Sequence, residues 1–205
     1  MAPPPPRLVI FDMDDVLVRY DPDVRRAAMG ALAGLSAGDV ERLIWDSGIE
    51  DAADMGALSS DGYLGAVSHA LGVPFGRRQW LETRRVAMRL DPDTPALARR
   101  VGERARLALL TNNGYLMREH FDALVPELRA IFGAAMHVAA EFGTKKPDPD
   151  IYRRLAALHG AAPHEAMMID DKPGHVAGAR SAGLEGHVFT GLEGLRERLQ
   201  ALRLV

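Results

Sequence analysis

The sequence predicts an α/β fold: a Rossmann-like parallel sheet flanked by helices, with a small α-helical cap domain. Three observations predict it. Short runs that are apolar on consecutive residues recur along the chain, which is how strands covered on both faces read. Helical patterns separate most of these runs, and strand–helix–strand repetition implies right-handed crossovers into a parallel sheet. A long stretch without a convincing strand separates the first run from the second, and a compact domain does not leave such a loop structureless.

Taken in order, Pro3 to Pro6 suit a flexible, extended tail over residues 1–6. Leu8-Val9-Ile10-Phe11 is the first strand. Residues 23–35, 37–45, 61–71 and 77–90 then read as helices. Ser36 and Asp39 form an S-x-x-D capping box that opens the second of these, and Ser60 is the expected N-cap of the third. Further strands are expected at 107–110, 136–140, 167–169 and 187–189, with helices at 148–159 and 192–202. Residues 17–92 are thus expected to form the cap, and residues 7–16 and 93–205 the core.

Composition narrows the function classes. The 205 residues carry 25 Lys and Arg against 28 Asp and Glu, a formal charge of −3, so no basic excess marks a nucleic-acid binder. Cysteine is absent, which excludes thiol catalysis, disulfide frameworks and Cys-based zinc sites. No apolar run approaches the roughly 18–20 residues of a membrane span, and the N-terminus lacks the order of a secretory signal. A cytoplasmic enzyme with no membrane partner is the expectation.

Four polar clusters fall where the expected strands end, the edge at which open α/β sheets bind ligands. They are Asp12-Met13-Asp14-Asp15, Thr111-Asn112-Asn113-Gly114, Lys145-Lys146-Pro147-Asp148-Pro149 and Asp170-Asp171. Several carboxylates beside one ammonium suit a hard divalent cation such as Mg²⁺. A carboxylate can also attack phosphorus, with a hydroxyl, amides and a lysine stabilising the charge of the transferring group. In an extended segment Asp12 and Asp14 would point the same way and address one substrate from one side.

FDMDDVL, LLTNN, KKPDPDIY and MIDD, in this order, resemble the four motifs of the haloacid dehalogenase-like (HAD) hydrolase superfamily, from Val9 to about Gly183. The resemblance implies Asp12 as nucleophile and Asp14 as the acid/base that protonates the leaving oxygen and later activates water. It implies Thr111, Asn112 and Lys146 as holders of the phosphoryl group, with Lys145 the lesser choice. Asp12, the Asp14 carbonyl, Asp170 and Asp171 become the surroundings of Mg²⁺. The dehalogenases of the superfamily lack the second aspartate, so Asp14 points to a phosphatase acting on a small phosphate ester. The cap, with GALSSDGYLGAV, is similar to phosphatases of sugar phosphates and to the phosphatase domain of epoxide hydrolases. The chain departs from those patterns at Asn113-Gly114 and at His175. A phosphomutase with the same core, or a non-hydrolytic phospho-accepting or binding protein, are the alternatives.

Other features read as structural. Gly34-Leu35-Ser36-Ala37-Gly38 matches G-x-S-x-G, but that motif needs a strand before the serine and here a helix precedes it. Arg78, Arg85 and Arg89 share a solvated helix face, and Trp45, Tyr63 and Trp80 read as cap core. Arg19 and Tyr20 are placed near a hinge.

Overall fold

The computed structural model describes residues 5–205. The first four residues of the expected tail lie outside the described residues, and Pro6 is already buried. The chain runs β1 (Leu8–Phe11), β2 (Val18–Tyr20), α1 (Pro22–Ala33), α2 (Ala37–Val40), α3 (Ile49–Asp54), α4 (Ser60–Leu71), α5 (Arg77–Val86) and β3 (Met88–Leu90). It continues through α6 (Asp93–Val101), β4 (Arg106–Thr111), α7 (Tyr115–Leu124), α8 (Pro126–Phe132), β5 (Met136–Val138), α9 (Pro149–Leu158), β6 (Ala166–Asp170), α10 (Pro173–Ser181), β7 (Glu185–Val188) and α11 (Leu192–Ala201).

Five strands form one parallel sheet in the order β5-β4-β1-β6-β7. The uninterrupted apolar reading of β1 has a direct cause. Val9 and Phe11 pack into one hydrophobic cluster and Leu8 and Ile10 into another, one on each side of the strand. All four are fully buried, and each such side chain contributes about 1.5–3 kcal/mol of burial.

Two parts of the sequence reading are corrected. Residues 17–92 are not without strands, because β2 and β3 pair antiparallel in a short ribbon that brackets α1–α5. The expected helix over 77–90 therefore ends at Val86. Three residues per strand are too few to show a period of two, and what stabilises them is their pairing with each other. The second correction concerns α4: Ser59 is its N-cap, accepting from the Gly62 N–H at 3.1 Å, while Ser60 bonds Glu119 at 2.6 Å.

Ser36 and Asp39 do form the capping box, so the serine of G-x-S-x-G opens a helix. That helix runs on into a π-turn, Glu41–Trp45. Asp148 caps α9 by accepting from the Asp150 N–H. Tyr63 and Trp80 are buried in the main cluster, with Trp45 packed against it. Among the described residues, no helix is long and apolar enough to cross a membrane.

Candidate active site

Strand β1 ends where the Asp12 N–H donates to the Ile169 carbonyl of β6 at 2.9 Å. The chain then turns sharply. The Leu17 and Val18 N–H groups both donate to the Met13 carbonyl, and Asp15 takes a left-handed conformation with φ 62°. This turn leaves Asp12 and Asp14 at the sheet edge, next to the ends of β4 and β6. The expected extended D-x-D segment is bent at Met13, and Asp14 forms a bridge with Val18.

Lys146 arrives from the loop before α9 and is 1% exposed. Asn112 clamps its main chain, donating to the Lys146 carbonyl at 2.9 Å and accepting its N–H at 3.0 Å. The Lys146 ammonium lies 2.7 Å from Asp12 and 2.6 Å from Asp170. His175 Nδ1 is 3.0 Å from both Asp170 oxygens, and the Lys172 N–H donates to the same carboxylate.

The electrostatics follow from burial. Desolvation pushes the Asp12 carboxyl up to about 8, against the pull of Lys146. Burial would also raise Asp170, but the His175 hydrogen bond and the Lys146 charge outweigh it and hold it below the usual carboxylate range. Burial disfavours the Lys146 charge, yet Asp12 and Asp170 keep it ionised above the ordinary lysine value.

The loop that carries Lys146 leans on helix α10. A Cβ at Gly178 would stand 2.1 Å from the Pro147 carbonyl oxygen and 2.8 Å from its carbon. The obstacle is backbone, so something must shift. Gly178→Ala is expected to destabilise the protein by about 1–3 kcal/mol in urea denaturation, as overpacking does. An alanine variant as stable as the parent would show that this loop moves freely.

A second chain of contacts starts at Thr111, the buried last residue of β4. Asn113 donates to the Thr111 hydroxyl at 2.7 Å and lies 3.5 Å from Asp14 Oδ2. The same Asp14 oxygen accepts from Arg84 of α5 at 2.7 Å. Arg84 is 2% exposed; burial works against its charge, but Asp14 outweighs that and raises its value. Deeper in the helical insert, Arg25 bonds Glu50 and Tyr63, and the Tyr63 hydroxyl donates to Glu50.

The structure brings together Asp12, Asp14, Thr111, Lys146 and Asp170 at one edge. Asn112 engages Lys146 through one side-chain N–H and its side-chain oxygen, and its main-chain N–H lies at the same strand end. Lys145 pairs with Asp51 of α3, outside the site. Arg78, Arg85 and Arg89 are exposed, as a solvated face requires. Arg19 bonds Asp91, and the Tyr20 ring lies beneath Arg84, 4.2 Å from its guanidinium carbon.

Arg84 and Asn113 contact the expected site residues Asp14 and Thr111, and the sequence reading gave neither a role there. Arg84 did leave a signal. It follows Trp80 by four residues on the buried stripe of α5, where a charge needs a partner.

Ligand atoms of Asp12, Asp170 and His175 lie within 4.8 Å of one another. Asp171 Oδ1 is buried without a hydrogen-bond partner among the described residues, and burial raises its carboxyl. A set of carboxylate oxygens, one of them unspent, fits a hard cation such as Mg²⁺ better than a softer metal. Asp170 is already engaged by Lys146 and His175, so Asp171 is the carboxylate of the pair with free capacity.

The family model of haloacid dehalogenase-like hydrolases matches residues 6–183. The chain belongs to that family. It is 37% identical over 127 residues to a phosphoserine phosphatase of Thermus thermophilus, a match that covers 58% of this chain and 49% of that protein. The chain thus matches about half the length of that relative. A predicted HAD-like family hydrolase from Porphyromonas gingivalis superposes with a TM-score of 0.81 at 20% identity, covering 96% of this chain and 98% of that one. A HAD family enzyme from Bacteroides thetaiotaomicron, in complex with magnesium and inorganic phosphate, superposes at 0.75 with 16% identity, covering 88% and 92%. At these identities the two structures bear on the fold. The HAD-like α/β architecture and the hydrolase class agree with the sequence reading.

Proposed function

We propose that this chain is a Mg²⁺-dependent phosphomonoester hydrolase that acts on a small phosphorylated metabolite through an aspartyl-phosphate on Asp12. The observation that carries this reading is Asp14, held beside Asp12 and tied to Arg84, Asn113 and, through Asn113, Thr111. Release of halide needs no proton on the leaving group, whereas departure of an alkoxide does. The Thermus phosphatase and the magnesium and phosphate complex of the Bacteroides enzyme support the same class.

Asp12 attacks phosphorus as the ester oxygen departs with a proton from Asp14. Thr111, the Asn112 main-chain N–H and Lys146 hold the phosphoryl oxygens as charge spreads over them. Water, deprotonated by Asp14, then attacks the acyl phosphate and frees Asp12. When bound, Mg²⁺ neutralises phosphoryl charge, held by Asp12, the Asp14 carbonyl and Asp171 with Asp170 beside it. Helices α1–α5 act as the cap that excludes bulk water.

Sugar phosphates are the proposed substrates. A phosphorylated amino acid is the second reading, favoured by the likeness to the Thermus phosphoserine phosphatase.

The test is phosphate release from p-nitrophenyl phosphate, sugar phosphates and phosphoserine, with and without Mg²⁺. Mg²⁺-dependent release is expected. Isomerisation without release would make the protein a mutase, and a stable phosphoprotein without turnover would make it a phospho-acceptor.

A further inference from the structure

Arg84 reaches Asp14 from α5. A buried guanidinium is expensive unless paired, and an apolar residue would continue the stripe begun by Trp80 at less cost. Its hydrogen bonding is not what stability alone would select, since Arg84 Nε is buried without a partner among the described residues. Among the described residues its carboxylate partner is Asp14, at 2.7 Å. Its flat face rests on Tyr20 of β2, and α5 leads directly into β3, so the ribbon that joins insert to core supports Arg84 from two sides.

The two oxygens of Asp14 differ. Oδ2 accepts from Arg84 and lies near Asn113, while Oδ1 is buried with no partner among the described residues. We infer that Arg84 is a positioning residue that holds Asp14 by Oδ2 and thereby makes Oδ1 the oxygen that carries the catalytic proton. This inference rests on the reading of Asp14 as acid/base. In the first half-reaction the Oδ1 proton passes to the ester oxygen as the P–O ester bond breaks and the Asp12–phosphorus bond forms. In the second, Oδ1 takes a proton from water as the water oxygen attacks phosphorus, the Asp12–phosphorus bond breaks, and inorganic phosphate leaves. Both aspartates are restored. Because Arg84 belongs to the insert, Asp14 is fixed only while the insert sits on the core.

The experiment compares single-turnover phosphoryl transfer, with Mg²⁺, from p-nitrophenyl phosphate and from an alkyl phosphate of the panel. The first has a leaving group that departs unprotonated and the second does not. In Asp14→Asn and Arg84→Gln, transfer from the alkyl ester is expected to fall on the order of 10²-fold, and from p-nitrophenyl phosphate less than about tenfold. A burst of p-nitrophenolate then shows that the protein is folded and its nucleophile intact. The double variant is expected to be no slower than Asp14→Asn alone, because both substitutions remove one function. Arg84→Lys, which keeps the charge but loses the planar fork, should fall between, and it carries the comparison if glutamine unfolds the insert. Arg78→Gln, an exposed change on the same helix, should leave both rates unaltered.

Equal slowing of both esters by Arg84→Gln, no slowing of either, or multiplicative loss in the double variant would overturn the role of Arg84. If Asp14→Asn itself spares the alkyl ester, the acid/base reading of Asp14 fails instead.

Discussion

Asp12→Asn is expected to reduce phosphate release by at least about 10⁴-fold, the scale on which removal of a covalent nucleophile acts. The same substitution is expected to leave the metal-free fold as stable as the parent, or more so at pH 8. Asparagine has the shape of aspartate, and Lys146 keeps its second partner, Asp170, at 2.6 Å. The sign of the stability effect follows from the raised carboxyl. Asp12 ionises near 4 in the unfolded chain and is pushed up to about 8 in the fold. Between those values the native state holds a proton that the unfolded chain has lost, so Asp12 costs stability as the pH rises through that window. A neutral residue removes this cost. Phosphate release and thermal unfolding at pH 5 and pH 8 check both halves. Release that survives would remove Asp12 from the nucleophile's role, and a variant that melts far below the parent at pH 8 would show that the charge stabilises the site.

Much of this was legible in the sequence because it is local. The turn after Phe11, the lysine before Pro147 and the acidic pair after Ile169 each sit next to an apolar run, and a parallel sheet gathers strand ends at one edge. Ser36 and Asp148 were legible as caps for the same reason, since each bonds a backbone group two or three residues away. What was not legible depends on partners distant in the chain. Arg84 and Asp14 are 70 residues apart and meet only because the β2–β3 ribbon folds α5 back over the sheet. The Asn112 side chain braces the main chain of a residue 34 positions later, a contact that no local pattern announces. Asn113, read as a departure from pattern outside the core roles, links the Thr111 hydroxyl to Asp14. The Ser59 and Ser60 exchange is a smaller instance of the same limit. Either serine satisfies a capping rule, and the contact of Ser60 with Glu119 on α7 separates them.

Lys146→Met should show how far one ammonium organises the site. In the parent, a fully buried Lys146 stands between two carboxylates that are themselves almost inaccessible. Methionine fills a similar volume, so the cavity term is small and the effect is electrostatic. Without the cation, Asp12 and Asp170 face each other across a desolvated space, and the His175 hydrogen bond to Asp170 is what remains. Loss of one partner of a buried pair costs about 3–5 kcal/mol, which urea denaturation at pH 8 should register. The loss should grow above about pH 8, where the parent's Asp12 ionises. Two like charges in one site cannot both ionise, so the pair binds a proton more tightly in the folded variant than in the unfolded chain. The variant therefore goes on losing stability between pH 8 and pH 9, where the parent's Asp12 has given up its proton, and the two differ least below pH 8. Phosphate release should fall on the order of 10³-fold at either pH, since a donor to the transferring phosphoryl group is gone whatever the protonation of its neighbours. An equal stability loss at pH 7 and pH 9 would mean that Lys146 contributes packing rather than charge. Turnover close to that of the parent would mean that the phosphoryl group is held without it.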